Sequence, residues 1–416
     1  MVLIRKRQSH LPPGPKGLPM VGCRHRLGSR PHETLATFAE IHGSLMTLQL
    51  GFVTTIVVSS SKMAKECTAI EAMKIKSHHN RSLVWAQMGP RWQALRRLCN
   101  TQLFTPQWKV HEIVELIRQT EQVVDIGRVA FVIALNLVSN MIFSTEMDVI
   151  WSIMEVSGVP NHADYFPINK LFERLHQLLN VIIDERIQSR EKGGVAKGDF
   201  IGIILDSNQE NGVEFRQNEI LALLTLFTVG SDTSSTSVEW AMAELLHNPD
   251  KMAMAKMELS RTLGGPQHIV EESDISRLPY LQVVVKETWW LHAPVPLLIP
   301  HRADTTVNVA GYIVSEHAQV LINYWAIGRD PKVFLGSNVD YKGNDFQFIL
   351  FGARRRTCPG LPLGVHMVHL MLTSLLHYFD WELPDGLKAE EMDMRDKFGV
   401  TLQKLVPLRL IPRQGS

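Results

Sequence analysis

The chain is poor in cysteine, carries no excess of either charge, and falls short of the apolar length that would cross a membrane. Four cysteines occur in 416 residues, Cys23, Cys67, Cys99 and Cys358, with no framework spacing among them. A disulfide-stapled scaffold and a multi-cysteine metal site are thereby excluded, and a reducing compartment fits. The formal net charge is +1 with both signs dispersed, so no nucleic-acid partner is expected. No Pro/Gly/Ser-rich linker, charge block or repeat divides the chain, although it exceeds the length at which single cores usually split. One large compact domain is expected, or two fused without a linker. The start, Met1 to Arg7, is four residues and then a basic cluster, with no apolar leader and no spanning helix. Leu361 to Phe379 has no Asp, Glu, Lys or Arg and nearly reaches the length of a span. His366, His369, His377, an early proline and Thr373-Ser374 make a buried core helix the better reading.

What is present centres on Phe351-Gly352-Ala353-Arg354-Arg355-Arg356-Thr357-Cys358-Pro359-Gly360, followed by that apolar run. A cysteine beside guanidinium groups and just ahead of a helix N-terminus is favoured as thiolate. With no partner cysteine nearby, it reads as a nucleophile or as a single axial ligand to a haem iron. A structural cysteine beside a basic turn is the plainer alternative.

Leu11 to Pro19 holds four prolines, which fix φ and remove donors, and reads as a stiff tether or a generic linker. Leu45 to Ser60 alternates around Gly51-Phe52, a hairpin. Trp92 and Arg96 fall on one helical face, by themselves an ordinary amphipathic contact. Glu219 to His247 reads as one long helix ended by Asn248-Pro249. Its middle, Gly230 to Ser237, is built of poor helix formers whose hydroxyls compete for backbone carbonyls. That run is either a break between two helices or a distorted helix presenting Asp232 and Thr233 to a ligand. Leu278 to His292 is a further helix. Short strands are expected at Val307–Val309, Tyr312–Val314 and Val320–Asn323, with a C-terminal pair of strands around Val400 to Ile411. The class is mainly α with small β-sheets.

Together these segments, from Pro12 to Pro412, resemble the cytochromes P-450. Phe351, Arg356, Cys358 and Gly360 match the family's cysteine loop. The resemblance implies a single large domain of that fold, with haem b as cofactor and Cys358 as proximal thiolate to its iron. It implies propionate contacts from Arg356, Trp92, Arg96 and His301. It places Gly230, Asp232 and Thr233 in the oxygen-activating helix as glycine and acid–alcohol pair. Glu287 represents the Glu-x-x-Arg helix, a structural role. Val295, Pro296 and Leu297, and Phe398 to Leu402 with Val400 among them, fall where the family lines its substrate pocket. The proline-rich start and Trp325 to Pro331 look like the plant microsomal branch. Asn161 to Pro167, Val238 to Asn248, Glu271 to Lys286 and Asp393 to Gln403 are similar to its geraniol 8-hydroxylase type.

The activity implied is insertion of one oxygen atom from O2 into a C–H bond of a small apolar plant metabolite. A terpenoid such as geraniol, or a phenylpropanoid or flavonoid, fits. Electrons would come from NADPH through NADPH–cytochrome P-450 reductase. The family resides on the cytosolic face of the endoplasmic reticulum membrane. Here residues 1–19 are expected to be a basic, proline-rich tether without the anchor, holding a membrane surface weakly or leaving the chain cytosolic, and 20–416 the haem domain. The chain also departs from the pattern. Trp290 stands at the Glu-x-x-Arg arginine, and the Pro-Glu-Arg-Phe segment after Val333 is absent. Arg354 stands at a loop glycine, Val229 at a helix alanine, and Glu66 to Ser77 is shortened. Glu287 is therefore expected to be a buried carboxylate without its cations, and the alternative reading is an impaired or dead haem-binding relic.

Overall fold

The structure, a computed structural model, describes residues 11–69, 73–75, 89, 93, 96–97, 114, 117–118, 123–143, 168–192, 199, 201–205, 217–329, 339–354, 357–399 and 401–414. In chain order these form α1 (Pro31–His42), β1 (Leu45–Leu50), β2 (Val53–Val58), α2 (Ser61–Ala69) and β3 (Met73–Ile75). β4 (Val124–Asp125) leads into α3 (Ile126–Phe143), α4 (Ile168–Glu191), the long α5 (Gln217–His247), α6 (Pro249–Leu263), α7 (Glu272–Ile275) and α8 (Pro279–Leu291). Then come β5 (His301–Ala303), β6 (Val307–Val309), β7 (Tyr312–Val314), β8 (Gln319–Ile322), α9 (Tyr324–Ile327) and α10 (Leu361–Tyr378). β9 (Phe379–Glu382), β10 (Asp396–Lys397), β11 (Gln403–Lys404) and β12 (Arg409–Gln414) end the order. The class is mainly helical with small sheets, as the sequence predicts.

The chain falls into two compact units, each drawn from two stretches: Met1–His78 with Trp289–Cys358, and His79–Thr288 with Pro359–Ser416. The division falls inside α8. In the first unit, β1 and β2 form the expected hairpin, Leu45 opposite Val58, and Gly51 turns it at φ +62°. That left-handed conformation suits a residue without Cβ. The sheet runs β1-β2-β8-β5-β3, with β2 and β8 parallel and the other pairs antiparallel. Its apolar side joins α1 in a core of Cys23, Leu35, Phe38, Met46, Leu48, Val57 and Leu321. The proline-rich stretch lies on this unit: Thr47 N donates to Pro13 O at 2.8 Å, and Cys23 Sγ reaches Pro15 O at 3.6 Å.

In the second unit α5 packs against α3, α4, α6 and α10. α10 buries fourteen of its residues, from Leu363 to Tyr378. Among the described residues no helix is long and apolar enough to cross a membrane, and the core-helix reading of this run holds. Two of its buried polar groups bond within the helix: His369 Nδ1 lies 2.7 Å from Val365 O, and Ser374 Oγ donates to Leu370 O at 2.8 Å. The two expected C-terminal strands are present as β11 and β12, and they join different sheets: β11 pairs with β10, while β12 lies between β4 and β9. Pro407 sits between them, and Leu408 N is taken by a side chain of α5, so the ladder cannot continue through this stretch.

That side chain is Glu239, 6% exposed. Its Oε1 accepts from Leu408 N at 2.9 Å, and a Cβ built on Gly127 would sit 2.9 Å from its carboxyl carbon. Desolvation pushes its pKa up to about 7, with the Leu408 N–H and Lys404 opposing and Asp125 and Asp232 adding. Burial moves His369 the other way, to about 4. The folded state thus keeps a proton on Glu239 that the unfolded chain loses near its ordinary value of 4.5. Glu239 therefore adds stability that is complete below that value and lost as pH rises through about 7. His369 adds stability that is complete above 6.5 and lost as pH falls through about 4. Comparing Glu239→Gln with the parent isolates the first effect. Its unfolding free energy relative to the parent should grow by about 3 kcal/mol between about pH 4 and about pH 8. Denaturant titrations at several pH values check this, and a difference independent of pH would sink it.

Candidate active site

The cysteine loop belongs to the first unit. Cys358 N donates to Phe351 O at 2.7 Å, Gly352 N to Ile349 O at 2.8 Å, and Thr357 Oγ1 to Arg354 O at 2.7 Å. These bonds fold residues 349–354 back onto Thr357 and Cys358 in a tight turn that closes at the cysteine. Gly343 approaches it so closely that a Cβ there would lie 3.0 Å from Gly352 O and from Thr357 Oγ1. Gly352 at φ +75° uses the freedom of glycine, whereas Arg354 holds φ +56° with a full side chain. The missing loop glycine is a strained position, costing about 1–2 kcal/mol, and the Arg354 guanidinium lies 5.7 Å from the Phe346 ring centroid. Arg355 and Arg356 lie outside the described residues.

Cys358 is exposed, while Cys23 and Cys67 are buried. Burial, with Glu66 adding, pushes the Cys67 thiol up to about 12, so it stays protonated. Among the described cysteines only Cys358 presents sulfur to a ligand. A lone accessible thiol three residues ahead of α10 fits a single axial thiolate to haem iron.

The loop is held by aromatic rings. Trp289 meets Phe351 edge-on at 5.4 Å and Tyr341 at 5.5 Å. Tyr341 meets Phe348 and Phe351 at 6.1 Å, and Trp290 meets Phe348 at 5.8 Å. Each such pair contributes about 0.5–1.5 kcal/mol beyond its area. Trp290 is a buried member of this cluster, 3% exposed. Glu287 corrects the expectation made for it: it is only partly buried and keeps an interaction partner, so no buried, unpaired carboxylate results.

In the second unit, α5 runs unbroken through Gly230 to Ser237. The break is overturned because the hydroxyls turn back onto the helix. Thr233 Oγ1 and Ser234 Oγ donate to Gly230 O at 3.1 and 2.9 Å, Ser235 Oγ to Asp232 O at 2.9 Å, and Ser237 Oγ to Thr233 O at 2.8 Å. Asp232 instead points its carboxylate at the C-terminal segment. Oδ2 accepts from Thr401 Oγ1 at 2.6 Å and Oδ1 from Gln403 Nε2 at 3.1 Å. Desolvation raises its pKa, and the two hydrogen bonds oppose that rise.

The other expected residues are distributed as follows. Pro296 is buried, Val295 and Leu297 partly so, and Trp325 N donates to Pro296 O at 3.0 Å. His301 pairs with Val320 and Ile75 in the first unit's sheet. Arg96, Gly360 and Phe398 are partly buried in the second unit. Leu402 is fully buried, and its carbonyl accepts from Trp240 Nε1 at 3.0 Å. Trp92 and Val400 lie outside the described residues. The sequence reading missed Gln403, Glu239 and the ring cluster. The spacing of Asp232, Glu239 and Trp240, seven and eight residues, was the available sign of one polar helix face.

A mainly helical chain whose tight loop presents the one accessible sulfur among the described cysteines, with Asp232 and Thr233 inside a long helix, fits the class of haem-thiolate oxygenases. The cytochrome P450 family pattern matches residues 12–407, and the chain belongs to that family. It is 40% identical to geraniol 8-hydroxylase of Catharanthus roseus, over 98% of this chain and 95% of that protein. It is equally identical to geraniol 8-hydroxylase of Swertia mussotii, over 98% and 94%, and to cytochrome P450 76C1 of Arabidopsis thaliana, over 98% and 93%. The protein is a monooxygenase of the oxidoreductase class, and family membership implies haem iron.

Arg354→Gly should stabilise the protein by about 0.5–1 kcal/mol, the relief of strain less the weak ring contact and the added freedom of the unfolded chain. A lower denaturation midpoint would mean that the loop does not carry this strain in solution.

Proposed function

We propose that this chain hydroxylates a small apolar terpenoid of the geraniol type, with O2 as oxidant and NADPH electrons delivered by NADPH–cytochrome P-450 reductase. The observation carrying this reading is Cys358, the one accessible thiol among the described cysteines. A bound haem would supply O2 binding and reductive activation, with the thiolate donating electron density to the iron. Cys358 Sγ would be the protein's ligand, and Arg356, Trp92, Arg96 and His301 would bind the propionates. Asp232 and Thr233 would manage protons: the carboxyl of Asp232 can take one up and release it, and the Thr233 hydroxyl, while donating to Gly230 O, retains lone pairs to accept a hydrogen bond. Val295 and Leu297 offer apolar contact to a substrate, and Phe398 does likewise. Geraniol-type specificity is supported by full-length similarity to two geraniol 8-hydroxylases. Arg5, Lys6 and Arg7 would attract an anionic membrane surface at about 1 kcal/mol each, which suits work at the cytosolic face of the endoplasmic reticulum. The ring cluster around Phe351 supports a competent loop over a relic.

The carbon monoxide difference spectrum of the reduced protein tests ligation. A red-shifted Soret band is expected, lost in Cys358→Ser with the fold retained; its survival in that variant would overturn the assignment. Thr233→Ala should divert reducing equivalents from hydroxylated geraniol to peroxide while substrate affinity stays near the parent's. Unchanged coupling would remove Thr233 from proton handling.

A further inference from the structure

One face of α5 grips one stretch of chain. Asp232, Glu239 and Trp240 lie two turns apart on the helix, and each bonds to residues 401–408. Thr401 and Gln403 bond to Asp232, Leu402 O to Trp240, and Leu408 N to Glu239. Thr401 is buried at 3% exposure. The segment has its own anchor in Lys404, 5% exposed, whose Nζ donates to Asp393 O and sits 4.8 Å from the Trp240 ring centroid. Glu239 is the other acid on this face and Lys404 the cation facing it from β11; Asp125 of β4 acts on Glu239 as well.

The two partners of Asp232 are chemically unlike. An amide nitrogen only donates, so the Oδ1 lone pair facing Gln403 Nε2 must remain an acceptor, and a proton on the other lone pair of Oδ1 would weaken that bond. A hydroxyl donates or accepts. Thr401 Oγ1 can donate to an ionised Oδ2, or turn its hydrogen away and accept from a protonated one. The pair therefore tolerates both charge states of the carboxyl and favours the proton at Oδ2 over Oδ1.

We propose that Thr401 and Gln403 are positioning residues for oxygen activation: by holding both carboxyl oxygens of Asp232, they direct its exchangeable proton to Oδ2. This rests on the reading of Asp232 as a proton-handling acid. Thr401 becomes the neighbour through which the C-terminal segment sets the availability of that proton, a role apart from lining a pocket. The proton that leaves Oδ2 is replaced from solvent, and the carboxyl is returned unchanged after each cycle. Both bonds favour the ionised form against desolvation, so losing either one shifts the titration of Asp232 upward.

The test uses the full chain with Asp232→Asn, Thr401→Val, Thr401→Ser and Gln403→Leu. Infrared titration, with the Asp232 carboxyl band assigned by its loss in Asp232→Asn, needs no cofactor. Peroxide release per NADPH is then read on the haem-loaded protein with geraniol. Thr401→Val and Gln403→Leu should each move the band's midpoint upward and raise the peroxide share severalfold, while Thr401→Ser stays near the parent in both. If Thr401→Val fails to fold, Gln403→Leu carries the same two readouts. If Asp232→Asn leaves coupling unchanged, the acid reading falls and the positioning role with it. If Asp232→Asn uncouples while Thr401→Val and Gln403→Leu leave band and coupling alone, the positioning role alone is overturned. Uncoupling without a shifted band would also overturn it, because those side chains would then act elsewhere.

Discussion

A carboxylate withdrawn from water must take a proton or be met by hydrogen-bond donors, and the second unit contains two of them on one helix face. Asp232 is met by Thr401 and Gln403; Glu239 is met by one backbone N–H and is otherwise raised to about 7. Donors for both come from a segment more than 160 residues away in sequence. That debt of solvation fixes where residues 401–408 run, why β11 and β12 join different sheets, and why Gly127 cannot carry a side chain without displacing a carboxylate. The same constraint keeps the Asp232 carboxyl in a defined orientation, as the proton-handling role proposed for it requires.

The hydroxyl-rich middle of α5 follows a related rule. Poor helix formers persist in a helix interior when their hydroxyls bond back to the preceding turn, as Thr233, Ser234, Ser235 and Ser237 do. Gly230 O receives two of these side-chain bonds. The polar stretch is thus accommodated without breaking the helix, and Asp232 is the member of the run whose side chain reaches away to the C-terminal segment.

In the first unit the cysteine loop is packed by aromatic rings. Trp290 stands where the family has an arginine, yet with Trp289, Tyr341, Phe348 and Phe351 it forms a set of edge and tilted ring contacts. Ring contacts are short-ranged and need no counter-charge, so they pack a buried site without the desolvation cost of an ion cluster. The loop still carries strain at Arg354.

The sequence by itself determined the helical class, the hairpin about Gly51 and the unbroken course of α10, because each is written in local chemistry: periodicity and turn residues. It also located Asp232 and Thr233, because a polar pair in an apolar helix stands out by composition. Only the tertiary structure decided what meets the Asp232 carboxyl, that Leu402 is buried while Thr401 beside it is a hydrogen-bond donor, and that Trp290 joins a ring cluster. Helical and strand periodicities report which face a residue occupies and carry nothing about which distant segment will cover it. Hydrogen-bond partners far apart in sequence are chosen by the folded backbone, and the reading of residues along the chain ends there.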